Sequence, residues 1–305
     1  ETGATTSLTT LAVTDATTVN ISTQGGADSD FSSTTTLDSA DTETLSITAG
    51  VAASGITFTG AFAADDVETL NLTTSATNAH IIFGAATMTT ADALTSITVS
   101  ASGDDNSDIN IGAIGATAAA AALETITVTA ADGADVDFLG ITDAEAASLT
   151  SVTLNATTTG SVITMAGLGA DGASLTSINT ITATAVAGAT VDIENIEAVT
   201  IGSITLSGAG TFRADGADMD ITTLERIDAS GTSGSVTIDM TSTVGAVVVE
   251  LGTGTTSYYA GLGADVITLA ASAGTDTILQ NDTTGADAIT ISGFVVGTDT
   301  VTLSE

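Results

Sequence analysis

The chain has 305 residues, 43% of them hydrophobic, which is enough to bury a sizeable core. It carries 37 acidic residues against two basic ones, for a formal net charge of -35, and this excludes a nucleic-acid partner because phosphate recognition needs clustered Lys and Arg. Cys is absent, which excludes disulfides, zinc-thiolate sites and a thiol nucleophile. No apolar run approaches about 18 residues, so we predict no transmembrane helix.

Two kinds of short strand alternate along the chain. The first is a phrase of the form Leu-x-x-Ile-x-Val, and the second is a shorter segment in which every second residue is apolar. Both patterns are typical of strands that bury one face. The phrase begins at Leu8, Val67, Leu94, Leu123, Leu149, Ile178, Ile196 and Leu224, and the second strands lie at 56–58, 109–111, 136–138, 162–165, 191–193 and 236–240.

The four clearest phrases, from Val67 to Leu149, follow one another at steps of 27, 29 and 26 residues. A coil with two strands cannot bury its apolar faces alone and must stack on neighbouring coils. We therefore predict an all-β fold, a parallel β-solenoid over residues 1–252. An antiparallel sandwich is the competing layout, but the regular repeat argues against its Greek-key connections. Ala116–Ala122 and Asp143–Ser148 are expected to be short helical or loop excursions.

Catalytic residue types are almost missing. His80 is the single histidine, and the two basic residues are Arg213 and Arg226. General acid–base or nucleophilic catalysis needs a group that titrates near neutral pH or an activated nucleophile. We interpret His80 as an outward-facing strand residue and predict that the chain is not an enzyme.

Acidic residues recur in the turns of the repeat without Lys or Arg beside them. Oxygen-rich turns of this kind favour a hard cation such as Ca²⁺, while a solvated acidic coat typical of a salty medium is the alternative. The upstream candidates for metal ligands are Asp104, Asp105 and Asp108, then Asp132, Asp135 and Asp137, and then Asp215, Asp218 and Asp220.

From Gly261 the phrasing changes to a shorter unit, Gly-x-Asp-x-Ile/Val, which occurs four times. Its Asp residues are Asp265, Asp276, Asp287 and Asp299, at steps of 11, 11 and 12. In such a unit Gly permits a tight turn, Asp offers a carboxylate to a hard cation, and the next apolar residue fills the core. We predict a separate C-terminal segment over residues 253–305.

The segment 260–268, AGLGADVIT, resembles the RTX nonapeptide Gly-Gly-x-Gly-x-Asp-x-apolar-x, with Ala in place of the first Gly. The stretch 287–304 resembles the closing segment of RTX and related S-layer proteins exported by type I secretion. The resemblance implies an extracellular or bacterial cell-surface location and calcium bound by Asp265 with the carbonyls of Gly261 and Gly263. Asp276, Asp287 and Asp299 are the further ligands that it implies.

Together these features predict a calcium-dependent extracellular structural protein that self-assembles into a surface layer or filament. Its partners would be copies of itself and cell-surface polysaccharide. Two alternatives stay open: an RTX-like adhesin or ice-binding module, and a polysaccharide-acting β-helix enzyme. Ice binding needs a ladder of Thr on one face, and we do not expect one, because no strict Thr-x-Thr recurs at one place of each coil.

Overall fold

A computed structural model describes residues 6–8, 16–23, 28–31, 35–36, 43–59, 62–63, 66–83, 88–90, 93–112, 114, 122–141, 148–169, 175–214, 218–271, 274–281 and 289–304. Within these ranges the chain forms strands and turns and no helix. It follows that this part of the chain has no long apolar helix of the kind that spans a bilayer. Most of Ala116–Ala122 and Asp143–Ser148, where we predicted excursions, lies outside the described residues.

The strands are short and recur about twice per coil. In chain order they are β1 (Thr6–Leu8), β2 (Thr18–Ser22), β3 (Ser29–Phe31), β4 (Thr35–Thr36), β5 (Thr44–Ala49), β6 (Gly55–Phe58), β7 (Phe62–Ala63), β8 (Thr69–Ser75), β9 (His80–Phe83), β10 (Met88–Thr90), β11 (Ser96–Ser102), β12 (Asp108–Ile111), β13 (Thr125–Ala130), β14 (Asp135–Phe138), β15 (Ser148–Ala156), β16 (Val162–Met165), β17 (Leu175–Ala185), β18 (Thr190–Ile193), β19 (Asn195–Gly208), β20 (Thr211–Ala214), β21 (Asp218–Thr232), β22 (Ser235–Asp239), β23 (Val248–Glu250), β24 (Thr255–Ala260), β25 (Val266–Thr268), β26 (Asp276–Asn281), β27 (Thr290–Ser292) and β28 (Thr300–Ser304).

The described strands form three parallel sheets. Sheet 1 has 13 strands in the order β1-β3-β6-β9-β12-β14-β16-β18-β20-β22-β24-β26-β28, and sheet 2 has 12 in the order β2-β5-β8-β11-β13-β15-β17-β19-β21-β23-β25-β27. Sheet 3 has three strands in the order β10-β7-β4. Each strand pairs with its counterpart in the next coil, so the predicted parallel β-solenoid is confirmed and the antiparallel sandwich is wrong.

The repeated phrase forms the strands of sheet 2. Leu70, Ile97, Ile126 and Val152 stand in register across four successive coils. The phrase predicted at Ile196 is out of phase, because the residue in register with Ile178 is Ile201. The prediction at Leu8 also fails: Leu8 pairs with Phe31 in sheet 1, and the rest of that phrase lies outside the described residues.

Alternation places the apolar residues of both sheets inside the coil. In β13, for example, Ile126, Val128 and Ala130 are buried and the Thr residues between them are not. Phe58 and Phe83 stack in the core of adjacent coils with ring centroids 4.7 Å apart. Burying each large aliphatic or aromatic side chain is worth about 1.5–3 kcal/mol, and the stacked coils share this gain because each covers its neighbours.

Both main sheets continue across residue 252, where we predicted the segment boundary. Strand β22 pairs with β24 in sheet 1, and β23 pairs with β25 in sheet 2. Coil length changes instead: Ile126 and Val152 are in register 26 residues apart, whereas Val249 and Ile267 are in register 18 residues apart. The C-terminal coils therefore stack on the upstream ones with shorter connections.

The outward positions of sheet 2 form three ladders across eight strands, β2 to β19, and every residue in them is Thr, Ser or Asn. The described strand pairs are in register without a shift until β19 meets β21. The expectation that Thr-x-Thr does not recur at one place is therefore wrong. We call this surface the hydroxyl face; its residues are Thr18, Asn20, Ser22, Thr44, Ser46, Thr48, Thr69, Asn71, Thr73, Ser96, Thr98, Ser100, Thr125, Thr127, Thr129, Ser151, Thr153, Asn155, Thr180, Thr182, Thr184, Ser203, Thr205 and Ser207.

Candidate functional site

The nonapeptide-like segment spans the end of β24, a turn and β25, and its Asp265 lies inside the coil. The Asp265 side chain is 0% exposed. One carboxylate oxygen accepts the Val247 N–H at 2.9 Å and the other accepts the Tyr258 hydroxyl at 3.0 Å. Burial raises the pKa of Tyr258 well above its ordinary value, and the charge of Asp265 raises it further. Asp265 therefore ties sheet 1 to the turn before β23.

The two glycines of this segment allow the coils to approach closely. A Cβ atom on Gly261 would collide with the Thr243 carbonyl oxygen, and one on Gly263 with the backbone of Gly245. The Gly263 carbonyl accepts the Asp265 N–H at 3.0 Å. The same requirement explains Gly274, which lies against Gly254 of the preceding coil. Close stacking is thus a second reason for the Gly-x-Asp spacing, one that sequence reasoning missed.

Asp276 and Asp299, from the second and fourth units, come together in adjacent coils. Asp299 accepts the Asp276 N–H at 3.4 Å with one oxygen and the Val295 N–H at 2.7 Å with the other. Asp276 is 1% exposed, and among the described residues neither of its carboxylate oxygens has a donor at hydrogen-bonding geometry. A buried carboxylate without a donor is costly unless a proton or a cation neutralises it.

The pKa of Asp276 follows from this position. Burial raises the pKa of the Asp276 carboxyl, and the negative charge of Asp299 raises it further. The hydroxyl and N–H of Thr256 act in the opposite direction. The remaining unit contributes Asp287, which lies outside the described residues.

Two of the upstream acidic turns, predicted as separate sites, are brought to one place on the outer side of sheet 1. Asp108 and Asp135 are direct register partners, and Asn110 is opposite Asp137. We call Asp104, Asp105, Asp108, Asp135 and Asp137 the acidic patch.

The charges of the patch act on one another. Burial raises the pKa of Asp108, and the carboxylates of Asp137, Asp104 and Asp105 add to this, while His80 opposes it. Burial likewise raises the pKa of Asp135, with Asp108 as the next cause.

Asp104 differs from the other members of the patch because its donors are already in place. One of its oxygens accepts the Ser107 hydroxyl at 2.7 Å, the Asn78 N–H at 3.0 Å and the Asn106 N–H at 3.3 Å. The Asn78 N–H and the Ser107 hydroxyl are the main reasons that the pKa of Asp104 is lowered. This carboxylate stabilises the turn between two coils.

The other upstream candidates stand apart from the patch. Asp132 is exposed and adopts a left-handed φ of 59° before Gly133. Asp220 is exposed in β21, opposite Glu197. Asp215 and the side chain of Asp218 lie outside the description. Among the described residues no three His, Cys, Asp or Glu side chains converge as a ready metal site, so any cation here would also need backbone or water oxygens.

The basic residues serve as ion-pair partners. Arg226 contacts Glu250 at 2.6 Å and Asp228 at 3.1 Å, and Arg213 lies 3.7 Å from Asp192. His80 begins β9 with its imidazole over Gly55 of the preceding coil.

A gap in the core near Val191, Phe212 and Ile227 is lined almost entirely by aliphatic and aromatic side chains. It offers no set of converging polar groups for a substrate.

The comparisons with known proteins return nothing: no family model, curated protein or solved structure matches the chain. The resemblance to RTX and S-layer proteins therefore rests on the residues of the C-terminal stretch alone.

Proposed function

We propose that the chain is a structural β-solenoid that binds calcium outside the cell and assembles into a surface layer or filament. The observation that carries this proposal is Asp276, a buried carboxylate without a hydrogen-bond donor beside a second carboxylate, Asp299. A hard cation with oxygen ligands neutralises such a pair directly. Asp276 and Asp299 would hold the ion, and the bound ion would fix two adjacent coils to each other.

The overall charge supports the same proposal. Two like charges 4–5 Å apart repel by about 3–4 kcal/mol near a protein surface, and the acidic patch places carboxylates on neighbouring strands. With a net charge of -35 and two basic residues, the chain has little of its own to offset this repulsion. Divalent cations at the patch would lower it, and they would also lower the repulsion between copies.

Calcium dependence would also separate the two sides of the cell envelope. Where free calcium is scarce, the Asp276–Asp299 pair stays uncompensated and the C-terminal coils are less stable, so the chain remains easier to export. Outside the cell, binding contributes directly to folding because the site exists only in the stacked coils.

A calcium titration of thermal unfolding tests the proposal. We expect calcium at about 100 times its Kd to stabilise the fold by about 2.7 kcal/mol, which raises Tm by about 5 °C. Asp276→Asn should lose most of this gain. Glu124→Gln, which removes one exposed charge far from the pair, is the matched control and should keep the gain.

Three results would contradict the proposal. A Tm and a circular dichroism spectrum that do not respond to calcium or chelator would remove its basis. An Asp276→Asn variant that keeps the full gain would mean that Asp276 is neutralised by a proton instead. Absence of sheets or fibres in negative-stain micrographs after calcium addition would remove the layer or filament.

A further inference from the structure

We propose that the hydroxyl face is the contact surface between two copies of this chain, packed face to face with their solenoid axes parallel. The inference rests on the proposed function and names the interface through which assembly begins. It depends on the charge, the size, the chemistry and the two margins of this face.

The hydroxyl face is free of charge in a strongly acidic molecule. None of its residues is ionisable, although the chain carries 37 acidic residues. The outer side of sheet 1, by contrast, carries Asp108, Asp135, Asp137 and Asp192. Two copies repel each other over most approaches, and the repulsion is weakest where they meet through this surface.

The size of the hydroxyl face matches a specific protein interface. Eight parallel strands about 4.8 Å apart, with three outward residues about 6.6 Å apart along each strand, cover about 700 Å² per copy. A standard interface buries about 800 Å² per partner. The contact is therefore large enough for association, and its polar character fits subunits that bind weakly one at a time and firmly as an array.

The side chains of the face are chemically self-complementary, because hydroxyls and amides both donate and accept hydrogen bonds. Few of them are used internally: Ser96 bonds Thr69 at 3.3 Å, Asn71 bonds Ser46 at 3.5 Å, and Thr184 bonds Ser207 at 3.2 Å. Thr180 also donates to the Thr150 carbonyl. The other side chains of the face make no hydrogen bond with described residues, so their hydrogen-bonding capacity is available to a partner.

The two margins of the face select the orientation. Exposed Glu43, Glu68 and Glu124 precede the first ladder in their coils. The opposite margin carries small uncharged residues, among them Ser75 and Ala131. A twofold axis along the solenoid lays each Glu column over the uncharged margin of the other copy, whereas an axis along the strands would bring the two Glu columns together.

A second copy also fits the irregular composition better than a lattice of ordered water does. Thr, Ser and Asn follow one another without a fixed order in each ladder, so methyl groups do not recur at every position. With parallel axes, each residue of the middle ladder instead meets its own counterpart. Ice binding is the competing use of this face, and the experiment distinguishes the two.

The first test measures self-association by sedimentation velocity in calcium. The double variant Thr127→Glu with Thr153→Glu places two charges in the middle ladder, and we expect its association constant to fall at least about tenfold. The matched control, Thr237→Glu, places one charge on the outer side of sheet 1, opposite Arg213, and should associate like the wild type. Circular dichroism checks that the variants fold.

The possible outcomes are distinct. Association that persists in the double variant overturns the proposed interface. A wild type that stays monomeric while calcium still raises Tm overturns the interface and leaves calcium binding intact, whereas loss of the calcium effect overturns the proposed function itself. Ice shaping by a monomeric wild type, lost in the double variant, would assign the face to ordered water instead.

The second test measures orientation. The chain has no Cys, so single variants Ser46→Cys, Thr127→Cys and Thr182→Cys give clean sites along the middle ladder. With parallel axes, a short bis-maleimide should link all three to their own counterparts, and Thr125→Cys in the first ladder should link poorly. Linkage at Thr127→Cys alone would overturn the parallel arrangement, because antiparallel axes bring only the central coils into self-contact.

Discussion

The outer surfaces of sheet 1 and sheet 2 belong to the same coils and yet carry opposite chemistry. On sheet 1, Asp108, Asp135 and Asp137 stand on neighbouring strands, and Asp192 faces Arg213 further along. On sheet 2 the corresponding positions are Thr, Ser and Asn over eight strands. The inward residues of both sheets are aliphatic or aromatic. The interior therefore specifies the solenoid, and the two outer surfaces are free to take on separate tasks.

The largest effect should come from exchanging the inner and outer chemistry at adjacent positions of one strand. Val128 is buried in β13, and Thr127 beside it points outward. Val128→Asp leaves an unpaired charge in the core, and we expect it to cost about 3–5 kcal/mol of unfolding free energy. Thr127→Asp should change that free energy by no more than about 0.5 kcal/mol. Urea unfolding of both variants checks this, and equal losses would contradict the orientation of β13.

An intermediate effect is expected within the acidic patch. Burial, followed by the charge of Asp108, raises the pKa of Asp135. The folded state therefore holds its proton to higher pH than the unfolded chain does, and stability is lost as pH rises above the ordinary value of 3.8. Asp135→Asn should remove this loss, adding about 0.2–1 kcal/mol at pH 7 and little at pH 3.5. Chemical denaturation at the two pH values measures the difference.

Asp228 is the control with the opposite sign. Hydrogen bonding by the Ser230 hydroxyl lowers the pKa of Asp228, so its ionised form stabilises the fold at neutral pH and that contribution is lost as pH falls. Asp228→Asn should therefore destabilise the protein at pH 7. The same sign for both variants would contradict the proposed electrostatics.

The smallest effect is expected where the uncharged surface of sheet 2 ends. Arg226 follows the last ladder position and contacts Glu250 and Asp228. Arg226→Gln should lower Tm by less than about 2 °C, because exposed ion pairs contribute little, and added salt should reduce the difference. Arg213→Gln, with its longer contact to Asp192, should have a smaller effect still. A fall of 10 °C in either variant would show that these pairs are structural.

The fold was predictable because the apolar alternation and the repeat of Val67, Leu94, Leu123 and Leu149 both appear in the printed sequence. The hydroxyl face was not, because connections of different length separate the coils. The error at Ile196 shows the difficulty: the correct phase begins at Ile201, and a shift of this size hides an aligned ladder. Register follows from three-dimensional stacking, which a count of residues along the chain does not supply.

The candidate metal residues show the same division. Proximity along the chain was enough to group Asp104, Asp105 and Asp108, but not to predict that Asp135 would lie opposite Asp108. The buried, unpartnered state of Asp276 depends on Asp299 in the next coil, 23 residues away. The internal bonds of Asp265 depend on Tyr258 and Val247. Burial and donor supply are tertiary properties, and no local motif contains them.

The parallel ladders also determine how the molecule would yield to force. Hydrogen bonds between coils run along the solenoid axis, and each coil contacts only its neighbours. Tension applied to the two chain ends would therefore load these bonds end-on and peel the coils away one after another, at a low force and with a long extension. A protein built in this way would absorb mechanical work gradually instead of breaking in a single step.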